Sequence, residues 1–292
     1  MIHGSLVAIV TPFKNSRIDE DALNKLIEFQ IENGTHGIVP CGTTGESPTL
    51  SHEEHEYVIE LTVKAVRKRV PVVAGTGSNS TKEAIRLTRF AEQIGADAAL
   101  LVVPYYNKPT QEGLYLHFKQ IASQVSIPII LYNIPGRSGV NMNPETIFRL
   151  ARDCKNIIGV KEASGSLIQA SKILYLCGRD FLLYSGEDAL NFPLLAIGAR
   201  GFITVTANVA PRDVADLYEH FAKGDYEKAK ELHYRLLPLN EALFIETNPI
   251  PVKAALSMMD KVVYEYRYPL CQMADNNYKE LRKALTEYGI LS

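Results

Sequence analysis

The sequence predicts a (β/α)8 TIM barrel with a C-terminal helical extension. Short apolar segments with the character of buried strands alternate with segments whose apolar residues recur at helical spacing. Eight such units fit into roughly 220 residues, the size expected for this barrel. Alternating strands and helices imply a parallel sheet covered by helices, and a doubly wound sheet is the alternative that the pattern leaves open. The predicted bounds are 1–224 for the barrel and 225–292 for the helical region.

The predicted strands are short apolar runs that end at a glycine, a proline or a polar residue. They span residues 5–10, 37–40, 70–74, 98–103, 127–132, 157–161, 181–184 and 201–204. Active sites of (β/α)8 enzymes lie at the carboxyl ends of the strands. The residues that follow these segments are therefore the candidates for chemistry.

The predicted helices have one apolar face, and two of them begin at a capping box. Ser51 with Glu54, and Ser80 with Glu83, have the spacing for reciprocal side-chain and backbone hydrogen bonds. The barrel helices are predicted at 19–33, 51–68, 80–94, 110–124, from 143 onward, and at 167–176, 188–197 and 211–222. The tail is predicted to be helical at 226–237, 239–259 and 275–288, with breaks near Pro249, Pro251 and Pro269.

Charge and composition argue against several classes of protein. A net charge of −2 over 292 residues gives no reason to expect a nucleic-acid partner. No apolar run approaches the ~18 residues of a membrane span, so no membrane partner is expected either. Residues 1–4 lack the pattern of a signal peptide. The cysteines lie far apart, as is typical of free thiols in a reducing cytoplasm, and a cytoplasmic protein is expected; they are Cys41, Cys154, Cys177 and Cys271.

Lys161 is the candidate nucleophile. It ends the sixth predicted strand, where Gly159 shares its face and leaves room beneath it, while Ile158 and Val160 share the other face. An apolar setting favours the neutral amine, which can attack a carbonyl and form a Schiff base. The alternative is a lysine whose amine reaches solvent at a strand end.

Donors for a carboxylate follow two other strands. Thr43 and Thr44, in the glycine-bounded segment 42–46, can offer hydroxyl and backbone donors, although an ordinary tight turn also fits. Arg137 lies in a glycine-rich loop after the fifth strand. A guanidinium there suits bidentate binding of a carboxylate, and an exposed loop arginine is the alternative.

Tyrosines end two more of the predicted strands. Tyr105 and Tyr106 follow the fourth strand, where packing or an interface would also explain them. Tyr132 ends the fifth strand and shares its inward face with Ile130. A lysine, a nearby tyrosine, hydroxyl donors and an arginine together suit a Schiff-base lyase or aldolase that acts on a 2-oxo acid.

Motifs for metals and cofactors are not convincing. Segment 75–80 departs from a dinucleotide fingerprint at Ser80. Segment 52–55 is not a His-Glu-x-x-His zinc motif, and no third ligand is evident. Neither a phosphate-binding loop nor a nucleophile elbow is present. The sequence therefore predicts no metal and no cofactor.

Three segments closely resemble the dihydrodipicolinate synthase and N-acetylneuraminate lyase superfamily, most closely its dihydrodipicolinate synthase branch. The resemblance covers the whole chain, tail included. The segments are Gly42-Thr43-Thr44-Gly45-Glu46, Tyr132-Asn133-Ile134-Pro135-Gly136-Arg137-Ser138-Gly139 and Gly159-Val160-Lys161-Glu162-Ala163-Ser164-Gly165.

This resemblance implies condensation of pyruvate with L-aspartate 4-semialdehyde, in the branch that leads to lysine and diaminopimelate. It implies that Lys161 holds pyruvate as a Schiff base and that Thr44 binds its carboxylate. The other roles that it implies are a proton relay of Tyr132, Thr43 and Tyr106, and substrate-facing backbone at Gly186 and Ile203. Tyr106 would reach the site of a neighbouring subunit, within a homotetramer built as a dimer of dimers.

Two rival functions stay open at this stage. A sister lyase, such as N-acetylneuraminate lyase or a 2-keto-3-deoxy-sugar-acid aldolase, would share Lys161 and Tyr132. Arg137 favours the synthase, because a semialdehyde with its own carboxylate needs a cation. A barrel that binds a metabolite without turning it over is the other rival.

The resemblance also implies inhibition by L-lysine at a separate site. Helix starts favour a carboxylate, and a glutamate can hold an ammonium group. Pro48 replaces an alanine that is common in the family, which is expected to alter affinity at most. The residues that match the lysine site are Ser47, Pro48, His52, His55, Asn79, Glu83 and Tyr105.

Overall fold

The computed structural model describes residues 2–291, and its principal strands number eight within that range. Each strand is short and almost wholly buried, as the apolar segments predict. The strands are β1 (Gly4–Ala8), β2 (Gly37–Val39), β3 (Val73–Gly75), β4 (Ala98–Val102), β5 (Ile129–Asn133), β6 (Ile157–Glu162), β7 (Leu182–Ser185) and β8 (Gly201–Thr204).

Within residues 2–291 a helix follows each of these strands, and three further helices form the tail. The first eight are α1 (Glu20–Glu32), α2 (His52–Val66), α3 (Thr81–Gln93), α4 (Gln111–Ala122), α5 (Pro144–Asp153), α6 (Leu167–Cys177), α7 (Asn191–Ala196) and α8 (Pro211–Ala222). The tail consists of α9 (Tyr226–Ala242), α10 (Ile250–Met258) and α11 (Asp275–Tyr288). Among the described residues no helix has both the length and the apolar character needed to cross a membrane.

The strand order is that of a (β/α)8 TIM barrel with a helical C-terminal extension, as predicted. The parallel strands follow one another in the order β2-β1-β8-β7-β6-β5-β4-β3. The chain divides into two compact units, one of residues 1–70 and 204–292, the other of residues 71–203. The domain bounds at 224 and 225 stay a prediction.

The unit of residues 71–203 has one apolar core between its strands and helices. Leu101, Leu131, Val160 and Leu183 point outward from successive strands onto helix residues that include Phe118, and all five side chains are fully buried. Burial of such a side chain contributes about 1.5–3 kcal/mol to the free energy of unfolding. The register pairs Tyr132 of β5 with Lys161 of β6, so the packing of this core sets the relative height of the two candidate residues.

The other unit contains the strands β1 and β2, the helices α1, α2 and α8, and the whole tail. β1 and β2 pair in register from Leu6 with Gly37 to Ala8 with Val39. Asp19 caps α1 by accepting a hydrogen bond from the backbone of Ala22 at 3.0 Å. Helices α8 and α9 of this unit pack against each other, so the tail packs on the last barrel helix.

One of the two capping boxes is confirmed and the other is wrong. Ser51 and Glu54 exchange both hydrogen bonds of the box at the start of α2. At the start of α3, the Ser80 side chain makes no capping bond. The Ser80 backbone N–H donates to Ser78 Oγ at 3.0 Å, and the Ser78 hydroxyl hydrogen-bonds the Glu83 carboxylate. The Ser80 backbone N–H and the Glu83 carboxylate, which a capping box would pair with other groups, are therefore both hydrogen-bonded to Ser78.

The predicted helix over 239–259 is also wrong. α9 continues through Pro238 to Ala242, and the chain then turns before α10 begins at Ile250. The carbonyl that Pro238 cannot bind belongs to Tyr234, a residue 63% exposed, so water can replace the missing donor. Pro251 lies in the first turn of α10, where a proline is tolerated.

Candidate active site

Lys161 lies buried at the carboxyl end of β6. Its side chain is 6% exposed, which contradicts the alternative of an amine that reaches solvent. The amine Nζ lies 4.3 Å from the centroid of the Tyr132 ring, which is itself buried. Sequence reasoning named both residues, and the structure brings them into contact.

The space around Lys161 depends on Gly186, after β7. A Cβ at residue 186 would lie 3.0 Å from Lys161 Cε and 2.6 Å from the Ala163 side chain. The expectation that Gly159 leaves room beneath the lysine is not what the packing shows. A Cβ at residue 159 would meet the backbone oxygen of Leu182 at 2.3 Å, so Gly159 allows close approach of β6 to β7.

Glu162, the residue after the lysine, holds the end of β6 in place through its carboxylate. Its carboxylate accepts hydrogen bonds from the Asn133 amide at 3.1 Å, the Gln169 amide at 3.1 Å and the Ser164 backbone at 2.8 Å. Glu162 and Asn133 are 3% and 0% exposed. The network ties the end of β5 to the end of β6, and so holds the backbone beside Tyr132 and Lys161. Sequence reasoning did not identify it, although both residues lie in the quoted segments.

Glu187 brings a second ionisable group toward the lysine. Burial raises the pKa of its carboxyl, the neighbouring Asp188 raises that pKa further, and the charge of Lys161 opposes both. Glu187 is therefore within electrostatic reach of the lysine. It directly follows Gly186 in the sequence, and that adjacency was the available signal for a residue that sequence reasoning missed.

The loop after β5 forms a short helical turn, Pro135–Ser138, that carries Arg137 on its exposed side. The turn ends at Gly139, whose φ of +73° suits a glycine. The Ser138 carbonyl accepts a hydrogen bond at 3.4 Å from the backbone of Tyr106, which has a φ of +71° and is 89% exposed. Ile203, another of the predicted site residues in this unit, lies in β8 and is 2% exposed.

In the unit of residues 1–70 and 204–292, the segment 42–46 forms a tight turn after β2. Thr44 is 2% exposed and Thr43 is partly buried. The amide of Asn248 donates to Thr44 Oγ1 at 3.0 Å. Thr11 Oγ1 donates to the Gly45 carbonyl at 2.7 Å. The turn is therefore not an ordinary surface turn, because buried side chains hold it.

A buried ion pair completes the support of this turn. Glu46 has a left-handed φ of +54° and pairs with Lys253 of α10, and neither side chain is exposed. Burial lowers the pKa of Lys253, and the charge of Glu46 opposes that effect. The Lys253 amine lies 4.3 Å from the centroid of the Phe13 ring and 5.3 Å from that of Tyr266. Sequence reasoning did not identify Lys253, which is 207 residues from its partner.

The candidate lysine-site residues fall into two groups, one in each unit. In residues 71–203, the Asn79 amide donates to the Tyr105 carbonyl at 3.3 Å, and Glu83 binds the Ser78 hydroxyl. In the other unit, Ser47 and Pro48 lie in a 3-10 turn just before α2. His52 is exposed in the first turn of α2 and His55 is buried there. The regulatory role of these seven residues stays a prediction.

The four cysteines are free thiols, as predicted. Burial raises the pKa of the Cys177 thiol to about 11 and raises that of Cys41 further, so neither thiol is poised to react. Within residues 2–291 the acids, histidines and cysteines form no cluster that could hold a metal ion.

A lysine enclosed at a barrel strand end beneath a tyrosine ring places this protein in a class, the (β/α)8-barrel lyases that form a Schiff base with their substrate. A model described as the dihydrodipicolinate synthetase family matches residues 1–288, and the chain belongs to that family.

Individual relatives agree with the family. The chain is 58% identical, over 100% of both chains, to 4-hydroxy-tetrahydrodipicolinate synthase of Thermodesulfovibrio yellowstonii. Among solved structures, it resembles a dihydrodipicolinate synthase from Acinetobacter baumannii complexed with pyruvate, with a TM-score of 0.97 and 47% identity over 100% of both chains. It also resembles an enzyme of this name from Cyanidioschyzon merolae with lysine bound, with a TM-score of 0.96 and 42% identity over 99% of each chain.

Proposed function

We propose that this protein condenses pyruvate with L-aspartate 4-semialdehyde to give 4-hydroxy-tetrahydrodipicolinate, through a Schiff base on Lys161. The observation that carries the proposal is the placement of Lys161. Its amine is buried, lies under the ring of Tyr132, and has a glycine where a side chain would obstruct it. Relatives 54–58% identical over the whole chain share the synthase name.

The chemistry assigns one task to each side chain. The Lys161 amine attacks the ketone carbon of pyruvate, and the resulting carbinolamine loses the ketone oxygen as water to form the Schiff base. Thr44 donates to the pyruvate carboxylate. Tyr132 moves protons in a relay with Thr43 and Tyr106, because a phenol with an ordinary pKa of about 10 transfers protons efficiently only within a hydrogen-bonded chain.

The second substrate is recognised by charge and by backbone. Arg137 binds the carboxylate of the semialdehyde, since its exposed guanidinium can form two parallel hydrogen bonds to that group. The backbones of Gly186 and Ile203 face the bound substrate. The absence of a side chain at Gly186 supports this role, because a Cβ there would lie 3.0 Å from Lys161 Cε.

A coupled assay tests the choice of substrates. The enzyme is offered pyruvate with either L-aspartate 4-semialdehyde or N-acetylmannosamine, and product formation is followed. Turnover with the semialdehyde alone is expected. Turnover with N-acetylmannosamine would instead show a sister lyase, and a protein that binds pyruvate but converts neither substrate would be a metabolite-binding barrel.

We also propose a homotetramer built as a dimer of dimers. Tyr106, 89% exposed, would be buried by a neighbouring subunit and complete that subunit's relay. A second contact is supported by α6 and the residues after α7, where a group of apolar side chains faces solvent. The group comprises Leu167, Ile168, Tyr175 and Ile197, of which Ile168 and Tyr175 are 83% and 86% exposed.

L-Lysine is proposed as an inhibitor that binds away from Lys161. Asn79 and Glu83 supply a carbonyl and a carboxylate that suit the ammonium groups of lysine, and Tyr105 is the neighbour of the relay residue Tyr106. Millimolar L-lysine should inhibit the wild type and should inhibit Glu83→Ala much less. An uninhibited wild type contradicts the proposal. Inhibition that is purely competitive with pyruvate and survives Glu83→Ala contradicts it too.

A further inference from the structure

The hydroxyl of Thr44 is held by a residue of the C-terminal extension. Asn248, just before α10, donates its Nδ2–H to Thr44 Oγ1 at 3.0 Å across a separation of 204 residues. The two residues are 4% and 2% exposed, so bulk water does not compete for this bond. The extension therefore reaches the turn that was predicted to bind a carboxylate.

Neighbouring contacts also hold the turn that carries Thr44. Gly45, the next residue, has its carbonyl bound by Thr11 at 2.7 Å. Glu46, one residue further, forms the fully buried ion pair with Lys253. Lys253 belongs to the same short segment as Asn248, so one segment of the tail holds the turn at two points.

The direction of the Asn248 hydrogen bond decides what the Thr44 hydroxyl can do. A hydroxyl has one proton to donate and two lone pairs that accept. Because Thr44 accepts from Asn248, its own proton is available for a second partner. A carboxylate at neutral pH can only accept. A side chain at residue 248 that accepted from Thr44 would draw that proton away from the substrate.

We infer that Asn248 is a positioning residue, which presents the Thr44 hydroxyl as a donor to the carboxylate of the 2-oxo acid. The inference rests on the proposed function, because it requires that Thr44 binds this carboxylate. Asn248 acts through Thr44 and does not itself contact the substrate.

Asn248→Asp and Asn248→Ala test the inference by which of the two weakens pyruvate binding more. The aspartate has almost the same shape but can only accept, and it adds a negative charge behind Thr44. The pyruvate concentration for half-maximal borohydride trapping should rise at least about tenfold in Asn248→Asp, and less in Asn248→Ala. Trapping at saturating pyruvate should stay near one adduct per chain in both variants. A residue that only supports the fold would lower the free energy of unfolding when it is replaced, without raising the half-maximal pyruvate concentration of the folded protein.

Asn240→Asp is the matched control. Asn240 in α9 is 5% exposed and also binds a threonine, but there its Oδ1 accepts from Thr206 Oγ1 at 2.7 Å. Aspartate preserves that acceptor, so Asn240→Asp should bind pyruvate as the wild type does. A ketone without a carboxylate, hydroxyacetone, supplies a second control, and its trapping should not change in Asn248→Asp.

Repeating the substitution in a Thr44→Val background tests whether Asn248 acts on pyruvate binding through the Thr44 hydroxyl. If Asn248 acts through the Thr44 hydroxyl, Asn248→Asp should raise the half-maximal pyruvate concentration much less once that hydroxyl is gone. If Asn248→Asp does not fold, as judged by circular dichroism, the same cycle is run with Asn248→Ala and must also be non-additive.

The outcomes separate this inference from the proposed function. A wild type that traps no pyruvate overturns the proposed function. A wild type that traps pyruvate contradicts the inference alone under any of three results: unchanged affinity in Asn248→Asp, a greater loss in Asn248→Ala, or full additivity with Thr44→Val.

Discussion

Lys161 and Lys253 are both buried lysines, but only one of them is placed to react. Lys253 is fully buried, its amine lies near two aromatic rings, and its pairing with Glu46 stabilises the ammonium form. Lys161 lies at a strand end with a tyrosine ring on one side and the absent side chain of Gly186 on another. Burial alone does not identify the nucleophile, because Lys253 is the more buried of the two lysines. The groups around each amine distinguish them.

Gly186→Ala should slow the chemistry of Lys161 without unfolding the protein. The added methyl group would lie 2.6 Å from the Ala163 side chain and 3.0 Å from Lys161 Cε, so the end of β6 must shift and carry the lysine away from its position under Tyr132. A shift of this kind can reduce turnover by about a hundredfold. Single-turnover trapping of pyruvate measures the effect. Gly136→Ala is the control, because nothing lies within 4 Å of a Cβ there; equal rates in the two variants would remove Gly186 from this role.

Arg137→Ala should separate the two substrates. Loss of a charge-assisted contact should raise the half-saturating concentration of aspartate semialdehyde by about tenfold or more. Borohydride trapping of pyruvate should be nearly unchanged. Arg137→Lys should be intermediate, because an ammonium keeps the charge but not the paired geometry. Equal damage to both substrates would show that Arg137 does not serve the semialdehyde specifically.

At the scale of elements, the turn after β2 depends on a helix from the far end of the chain. Glu46 adopts a left-handed φ that is unusual for a residue with a side chain, and its carboxylate is held by Lys253 of α10. Arg267 adds a backbone contact to Glu46 at 3.5 Å and a paired contact to Glu54 of α2 at 2.5 and 2.6 Å. The extension is therefore part of the support of the turn.

Lys253→Met should destabilise the protein strongly, because it leaves the Glu46 carboxylate buried and unpaired. The free energy of unfolding should fall by roughly 3–5 kcal/mol. The double variant with Glu46→Gln should recover part of this loss, since the charge is removed as well. Chemical denaturation of the three proteins measures both effects. A single variant as stable as the wild type would show that the pair does not support the turn.

The strands and most helices could be predicted, because hydrophobic periodicity and capping residues are local signals. β8 and α8 begin and end where the sequence predicts. The wrong predictions concern segments whose conformation depends on distant residues or on exposure to solvent. α9 passes through Pro238 on a solvent-exposed turn, and Ser78 displaces the expected box at Ser80.

The candidate site was predictable to the extent that its residues follow strands. Lys161, Tyr132 and Gly186 meet because parallel strands bring their carboxyl ends together. Asn248 and Lys253 gave no such signal, since they belong to a tail without strands and contact the turn across more than 200 residues. Such contacts depend on how the tail packs, which no local pattern reports.

At the scale of the whole molecule, the site is proposed to be shared between subunits. Mixing Lys161→Ala protein with Tyr106→Phe protein, each inactive alone, should restore activity, because a hybrid dimer contains one site with both residues intact. Sedimentation should show a tetramer for each variant. Subunit exchange is verified with tagged chains. A monomeric wild type, or no recovery after proven exchange, would contradict a shared site.

Borohydride trapping of labelled pyruvate is the most direct test of the covalent mechanism. The wild type should acquire one adduct per chain, on the peptide that contains Lys161, and Lys155→Ala should do the same because residue 155 is an exposed lysine at the start of this segment. Lys161→Ala should acquire none and should lose several orders of magnitude in turnover. Trapping at wild-type stoichiometry in Lys161→Ala, or an adduct mapped to Lys253, would contradict the account.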